Sequence, residues 1–472
     1  ICMKIKACLL ASILIAVNCF AFAQTDTDKK QASKNQAVAF VGVNVVPMDR
    51  ERIIENQTVI VRDGRISEIG SADKVKAPTG ALVVQAKGKY LMPGLAEMHG
   101  HLPHPNLGEQ VANSFLLLFV ANGVTTVRGM FGFPNHPALR DRLSRGELLG
   151  PRLYVAGPAL SGQSVKSPEE GEQKVREYKQ AGFDLLKIHE GLSVAAYDKI
   201  VATANQLGMP FGGHIPNDVG LLHALRSKQS SVEHLDGYIE ALEADDSPIR
   251  NADPATRAQK LVYNLDEKKI PMLVAATIQA GAWNAPTMEL WQTIFSSDSA
   301  ESLKQQRPEV KYVPVAMVNQ WAQQKTNQLQ AGDDPKGAAR LIEMRNRMLK
   351  ALQEGGAKIM LGSDAPQLFS VPGFSLHREM QAMIKAGLTP YQVLEAGTRN
   401  PAIYLKAAGE FGTVETGKRA DLILLEDNPL KDVANVAKRV GVMVNGRWLA
   451  ESELRKMLDD LAASYAATNK AG

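Results

Sequence analysis

The sequence predicts an α/β fold: a (β/α)8 TIM barrel with a small flanking β-sandwich built from both chain ends. Three observations predict it. From Pro93 onward, apolar strand-like runs alternate with amphipathic helical stretches, the texture of parallel βαβ units. Before that point and after Gly412, short β-branched runs of alternating polarity are separated by turns such as Asp63-Gly64. The length of 472 residues suits a barrel with an insertion and a companion domain.

In chain order, residues 1–23 read as a secretory signal peptide. Lys4 and Lys6 precede the apolar run Ala7 to Phe22, and Ala21-Phe22-Ala23 is a small-x-small cleavage box. The run is too short to span a membrane, so a periplasmic or secreted protein is expected, with residues 24–36 as a polar linker. The 3 cysteines, Cys2, Cys8 and Cys19, all lie in the leader, so the mature chain would contain no disulfide. Asn18 stands where a lipid-attachment box wants a small residue, which argues against lipidation. The leader takes two of the 54 basic residues and none of the 50 acidic ones. A mature chain so close to neutral gives no footing for nucleic acid.

Ala37 to Val46, Gln57 to Val61, Arg65 to Ile69 and Ala81 to Gln85 are predicted strands of a small sheet domain over 37–92, completed by 412–449. Residues 93–411 form the predicted barrel. Its strands are placed at Leu91 to Met98, Val124 to Arg128, Arg152 to Ala156, Asp184 to His189, Pro210 to His214, Ser231 to Leu235, Ala282 to Thr287 and Lys358 to Gly362. Helices between them are punctuated clearly. Ser167-Pro168-Glu169-Glu170 supplies an N-cap, a first-turn proline and a capping-box acid, Ser193 and Gly208 bound the next helix, and Thr389-Pro390-Tyr391-Gln392 repeats the start signal. Residues 288–355 exceed one crossover and are predicted as a two-helix insertion serving as a lid or dimer surface. Residues 450–472 complete the chain as a helix.

Six residues carry the chemistry: His99, His101, Lys187, His214, His234 and Asp364, each at or near a predicted strand end. Imidazole and carboxylate suit Zn²⁺ and related divalent ions, and residues two apart on a strand share a face, so His99 and His101 can reach one ion. With only 9 histidines in the chain, four at strand ends form a pattern. Taken singly, each has an ordinary structural reading: an H-x-H in a core, a strand-end histidine, an aspartate capping a helix. Lys187 sits within the apolar Leu185-Leu186-Lys187-Ile188, where an unpaired ammonium is costly. His189 points to the same side as Lys187; it and Tyr238 and Arg128 are candidates for substrate contact, against structural roles. His104, His136 and His377 are placed in loops.

Pro93-Gly-Leu-Ala-Glu-Met-His-Gly-His-Leu, Gly362-Ser-Asp-Ala-Pro, Gly387-Leu-Thr-Pro-Tyr, Asn400-Pro401-Ala402 and Gly417-Lys-Arg-Ala-Asp-Leu-Ile-Leu-Leu resemble the amidohydrolase superfamily, nearest to its imidazolonepropionase-like and prolidase-like branches, over residues 37 to 449. The resemblance implies two divalent metals, zinc by preference, at the C-terminal mouth of the barrel. His99, His101 and Asp364 would hold one ion, and His214 and His234 the other. Lys187, carboxylated by CO₂, would bridge them, since a bare ammonium offers no acceptor. Asp364 would also act as the proton-transferring catalytic residue. The imidazolonepropionase itself typically uses one metal and does not need the lysine, so Lys187 points to the binuclear relatives.

The expected activity is hydrolysis of an amide bond in a small substrate, a dipeptide or an N-acyl amino acid, by metal-activated hydroxide. Lactone, cyclic amide and phosphotriester hydrolysis are alternatives on the same site. A barrel that keeps its ligands as a non-catalytic binding protein is the alternative of another class. A homo-oligomer is compatible with the insertion.

Overall fold

The computed structural model describes residues 36–253, 256–257, 260–330 and 334–471. The expected signal peptide and all but the last residue of the expected linker lie outside the described residues. No helix among the described residues is long and apolar enough to cross a membrane.

Both chain ends build one mixed sheet. Its strands are Val38–Val45, Ile54–Arg62, Arg65–Ser71, Leu82–Gln85, Tyr90–Pro93, Leu422–Leu425, Arg439–Val444 and Arg447–Ala450. Asp63 and Gly64, with φ of 50° and 72°, turn the chain between Arg62 and Arg65, the left-handed pair that matches strand twist in a two-residue hairpin. Val38–Val45 pairs antiparallel with Ile54–Arg62 along one edge. Along the other it pairs parallel with Leu82–Gln85 and then with Tyr90–Pro93. The change of partner coincides with a register shift around Gly42, whose φ is 76°, as expected of a bulge that re-aims a strand. Phe40, Val59, Leu422, Leu424 and Met443 fill the core of this unit from both ends of the chain.

The predicted strand Leu91 to Met98 is two strands. Tyr90–Pro93 belongs to the mixed sheet, and Leu95–Gly100 opens the parallel part of the molecule. Gly94 joins them where a Cβ would lie 2.2 Å from Thr125 Oγ1. No side chain fits there.

Leu95–Gly100, Val124–Gly129 and Arg152–Val155 form a three-stranded parallel sheet; Leu186–Ile188, Phe211–Gly213, Ser231–Glu233, Trp283–Ala285 and Lys358–Ile359 form a five-stranded one. Neighbours follow chain order throughout. Bridges from Ala156 to Leu185 and from Leu160 to Ile188 link the sheets on one side. On the other, Met98 N–H donates to Leu361 O, and Asp364 N–H to His99 O.

Helix starts follow the sequence signals. Ser193 caps Val194–Gln206 and Thr389 caps Pro390–Gly397 in a reciprocal capping box. Ser167 caps Pro168–Gln180, but Glu170 reaches past it to accept the Lys166 N–H at 2.8 Å, so this start is not the capping box expected. The insertion differs more. Four α-helices occupy it among the described residues, Met288–Phe295, Ala300–Gln306, Val315–Gln330 and Pro335–Glu354, where two were expected. Pro308, Pro314 and Pro335 with the caps Ser299 and Asp334 divide the stretch. Leu303 and Trp321 of the insertion share a core with Phe115 and Leu118 of the helix Gly108–Ala121 and with Leu458 and Tyr465 of the C-terminal helix Glu451–Ala471.

Glu379, on the helix Phe374–Lys385, is fully buried and accepts the Glu289 N–H at 2.7 Å. Burial pushes its carboxyl up to about 8 from an ordinary 4.5. A group that holds its proton more tightly when folded loses the protein stability as pH rises from the unfolded value through the folded one. Glu379→Gln, neutral at every pH, is expected to melt above the parent protein beyond pH 8, with the gap closing toward pH 4.5. Thermal scans across that range check it; a gap that does not vary with pH would refute the assignment.

Candidate metal centre

The six ligand-type side chains converge where the parallel strands end. His101 Nε2 lies 2.9 Å from Asp364 Oδ1, and His99 Nε2 lies 3.4 Å from the same oxygen. Lys187 Nζ stands 3.2 Å from His99 Nε2. His234 joins through Asp364 Oδ2, 3.7 Å from its Nδ1, and through its ring, 4.5 Å from that of His99 and 4.7 Å from that of His214.

Three of the candidate ligands, His99, His214 and His234, are held by a partner behind them. His99 Nδ1 meets Glu233 Oε2 at 2.7 Å, His214 Nδ1 meets Asp236 Oδ2 at 2.6 Å, and His234 Nδ1 meets Thr287 Oγ1 at 2.8 Å. Such contacts fix ring orientation and tautomer. Glu233 is itself fixed by Arg128 at 2.8 Å and by Ser231 Oγ. Glu97 accepts the N–H groups of His99 and Ser363 and the Ser363 hydroxyl, tying the first strand to the Asp364 segment. Glu97, Glu233, Asp236 and Glu190 escaped the reading of the sequence. The first two precede ligands by two and one residues, a spacing that could have marked them.

The backbone is strained at two of the candidate ligands and beside them. His234, Leu235, Thr287 and Asp364 have φ of 62°, 52°, 46° and 61°, each costing on the order of 1–3 kcal/mol and held by its surroundings. Gly213, just before His214, has φ of 134°, and a Cβ there would lie 2.2 Å from Ile188 O. Gly213→Ala is expected to destabilise the protein by roughly 1–3 kcal/mol and to lower bound metal through displacement of His214. A melting curve and elemental analysis of the same preparation check both.

Burial, reinforced by the Lys187 charge, holds the His99 pKa well below its usual value. Burial does the same for His234 and takes His214 down to about 3. The rings therefore keep lone pairs for a cation. Burial also lowers the Lys187 pKa, favouring the neutral amine. His101 Nε2 and Asp364 Oδ1 are both buried and, although close, make no aligned hydrogen bond. Two buried polar atoms left facing one another without a hydrogen bond are suited to a cation held by both. Among the described residues two groups have the reach to hold a metal ion: His99 with His101 and Asp364, and His214 with Glu190 and Asp236. The second contains two carboxylates that the sequence did not nominate.

The softer candidates fall into place individually. His189 is half-buried, its ring 4.3 Å from that of His214, with Nδ1 accepting the Glu190 N–H. Arg128 is fully buried and spends its guanidinium on Glu233, Ser231, Tyr404 and Met98 O. Tyr238 is also fully buried, its hydroxyl shared with Thr277 and Asn284. These two therefore pack into the wall behind the centre, in keeping with the structural reading that stood beside substrate contact for each. His104 lies just before a 3-10 turn that its side chain caps, whereas His136 starts one helix and His377 lies within another, so neither of these two is a loop residue.

A sequence model of the amidohydrolase family matches residues 90–449. The dihydroorotase of Anaeromyxobacter dehalogenans strain 2CP-C is 34% identical over 105 residues, a stretch that spans 22% of this chain and 23% of that enzyme. The ochratoxinase of Aspergillus niger is 23% identical over 444 residues, covering 82% of this chain and 81% of its own. The crystal structure of a Xaa-Pro dipeptidase with methionine bound in its active site superposes with a TM-score of 0.65 at 18% identity, over 88% of this chain and 100% of that one. At that identity the superposition shows a shared α/β fold.

Proposed function

Because the chain belongs to the amidohydrolase family, and is accordingly a hydrolase of carbon–nitrogen bonds, we propose that it is an exported two-metal enzyme that cleaves the amide bond of a dipeptide or N-acyl amino acid. The observation that carries this reading is the meeting of His99, His101, Lys187, His214, His234 and Asp364 in one cluster, buried except for the half-buried His101 and His214. We read the two parallel sheets as one closed (β/α)8 barrel, supported by the hydrogen bonds at both seams. The shared core of the mixed sheet supports a flanking sandwich.

His99, His101 and Asp364 would hold one divalent ion, and His214 and His234 the other. Glu190 and Asp236, within reach of His214, would orient or share that second position. Lys187 would stand between the ions as a carbamate, its neutral amine adding to CO₂ with loss of one proton. Bound there, two divalent ions supply a water acidic enough to react near neutrality and polarise the scissile carbonyl. Asp364 takes the proton of the attacking water and delivers it to the leaving nitrogen as the C–N bond breaks. Glu233 and Thr287 keep the Nδ1 side of His99 and His234 engaged, so both rings present Nε2. The barrel wall, closed by Arg128 and Tyr238, keeps water from entering behind the site.

A library of dipeptides and N-acyl amino acids, assayed with Zn²⁺ and bicarbonate supplied, tests the activity. Turnover of members of either class is expected. Turnover confined to lactones or phosphotriesters moves the reading to those bonds, and no turnover of any substrate leaves a metal-binding barrel. Anomalous scattering counts the ions.

A further inference from the structure

Arg345 stands on the insertion helix Pro335–Glu354 and is 4% exposed, its guanidinium 3.9 Å from the centre of the Trp291 ring. Its Nε and Nη2 have no hydrogen-bond partner among the described residues, and none of their carboxylates stands within 4.0 Å. Other buried arginines are paired: Arg128 with Glu233 at 2.8 Å, Arg307 with Glu289 at 2.7 Å. Asp236, Glu240 and Glu379 feel the Arg345 charge from farther off. An unpaired buried cation is among the most unfavourable arrangements in a fold. Its persistence calls for a partner that arrives from outside.

Arg345 is among the residues lining a cavity of about 420 Å³, with Ile239, Trp291, Phe295 and Leu341 among the apolar walls. That size lies within the usual range for small-molecule sites. Two acids also line it. Asp334 is engaged by the Gly337 N–H and the Tyr263 hydroxyl, and Glu240 is exposed. The elements that wall the cavity also lead to the metal centre. The helix Met288–Phe295 follows directly on Thr287, the partner of His234, and Tyr238–Ala241 begins two residues after Asp236, the partner of His214.

We propose that this cavity receives the carboxylate end of an apolar organic acid, the carboxylate pairing with Arg345 and the apolar body lying against Trp291, Phe295 and Leu341. The assignment is of a binding site for this class of acid, and it rests on the hydrolase reading above in that such acids are the amino-acid half of the amides proposed there. Arginine suits the role because it presents two parallel N–H donors to a carboxylate and stacks on an aromatic face.

Calorimetric titration of the metal-loaded enzyme with phenylbutyrate and phenylbutanol isolates the charge, since neither contains an amide. The acid is expected to bind about tenfold or more tightly than the alcohol, the scale of a hydrogen bond to a charged group, and Arg345→Met is expected to abolish that preference. Ala338→Phe, which fills the cavity and leaves the arginine in place, is expected to weaken both ligands by about tenfold or more. Equal affinity for acid and alcohol in the parent enzyme, or an unchanged preference in Arg345→Met, would overturn the assignment. Should that variant not fold, undiminished binding to Ala338→Phe overturns it alone. No turnover enters these measurements. Loss of the binding effect beside intact amide hydrolysis refutes this cavity only, whereas Arg345-dependent binding without hydrolysis of any amide refutes the enzyme reading.

Discussion

Lys187→Ala is expected to lose bridged metal and to lower kcat/KM by about 10³-fold or more, the upper range for removing a preorganised charged group from an active site. Lys187 is 1% exposed, flanked by the buried Leu186 and Ile188, with Nζ 3.2 Å from His99 Nε2. As an ammonium it would repel both a protonated histidine and a divalent cation. As a carbamate it would be an anion with two oxygens facing them. Elemental analysis and turnover of the same preparation check the result, with Lys187→Met as a control that keeps the packed volume. If Lys187→Ala holds two ions and full activity, the bridging role is wrong. The parent enzyme, stripped of metal and reloaded without bicarbonate, is expected to recover less activity than when bicarbonate is present.

The second large effect lies behind the ligands. Arg128→Met is expected to destabilise the protein by about 3–5 kcal/mol, the usual consequence of leaving one partner of a buried ion pair alone. Glu233, at 0% exposure, would lose its ion-pair partner at 2.8 Å while still accepting from His99 Nδ1. His99 would then be held less firmly, and metal affinity is expected to fall about 10- to 100-fold, as when outer partners of metal-bound histidines are removed. Differential scanning calorimetry and a metal titration check the two parts separately. An unchanged melting temperature would show that Glu233 finds another partner or a proton.

Much of this arrangement was legible because the candidate ligands lie on or after short strands. Lys187 is the middle residue of Leu186–Ile188, and His214 and His234 directly follow Phe211–Gly213 and Ser231–Glu233, where a charged or imidazole side chain stands out from its neighbours. Beyond the strand ends the pattern failed, for stated causes. The left-handed backbone at His234, Leu235 and Asp364 breaks the period of two, so the positions of Asp236 and of the Asp364 carboxylate could not be projected. For Arg128 the sequence left substrate contact and a structural role both open, because a strand pattern gives the face of a side chain and not how far it bends along the strand. Arg345 was invisible, since a charged residue on an amphipathic helix beside Arg340 and Arg347 reads as one more solvated group. Only the packing of Trp291 against it reveals a buried cation.

The strand Tyr90–Pro93 pairs on one side with Val45 and Asn44, already synthesised, and on the other with Leu422–Leu425, near the far end of the chain. At translation rates of about 5–20 residues per second, the wait between these strands lasts tens of seconds. During that interval a nascent chain carries an open apolar edge one residue away from the strand bearing His99 and His101. The first half of the metal centre is thus anchored to a sheet that only the finished polypeptide can complete. Truncated products of this protein should therefore be aggregation-prone and unable to retain metal, and the timing of their capture by chaperones would follow the length of chain already made.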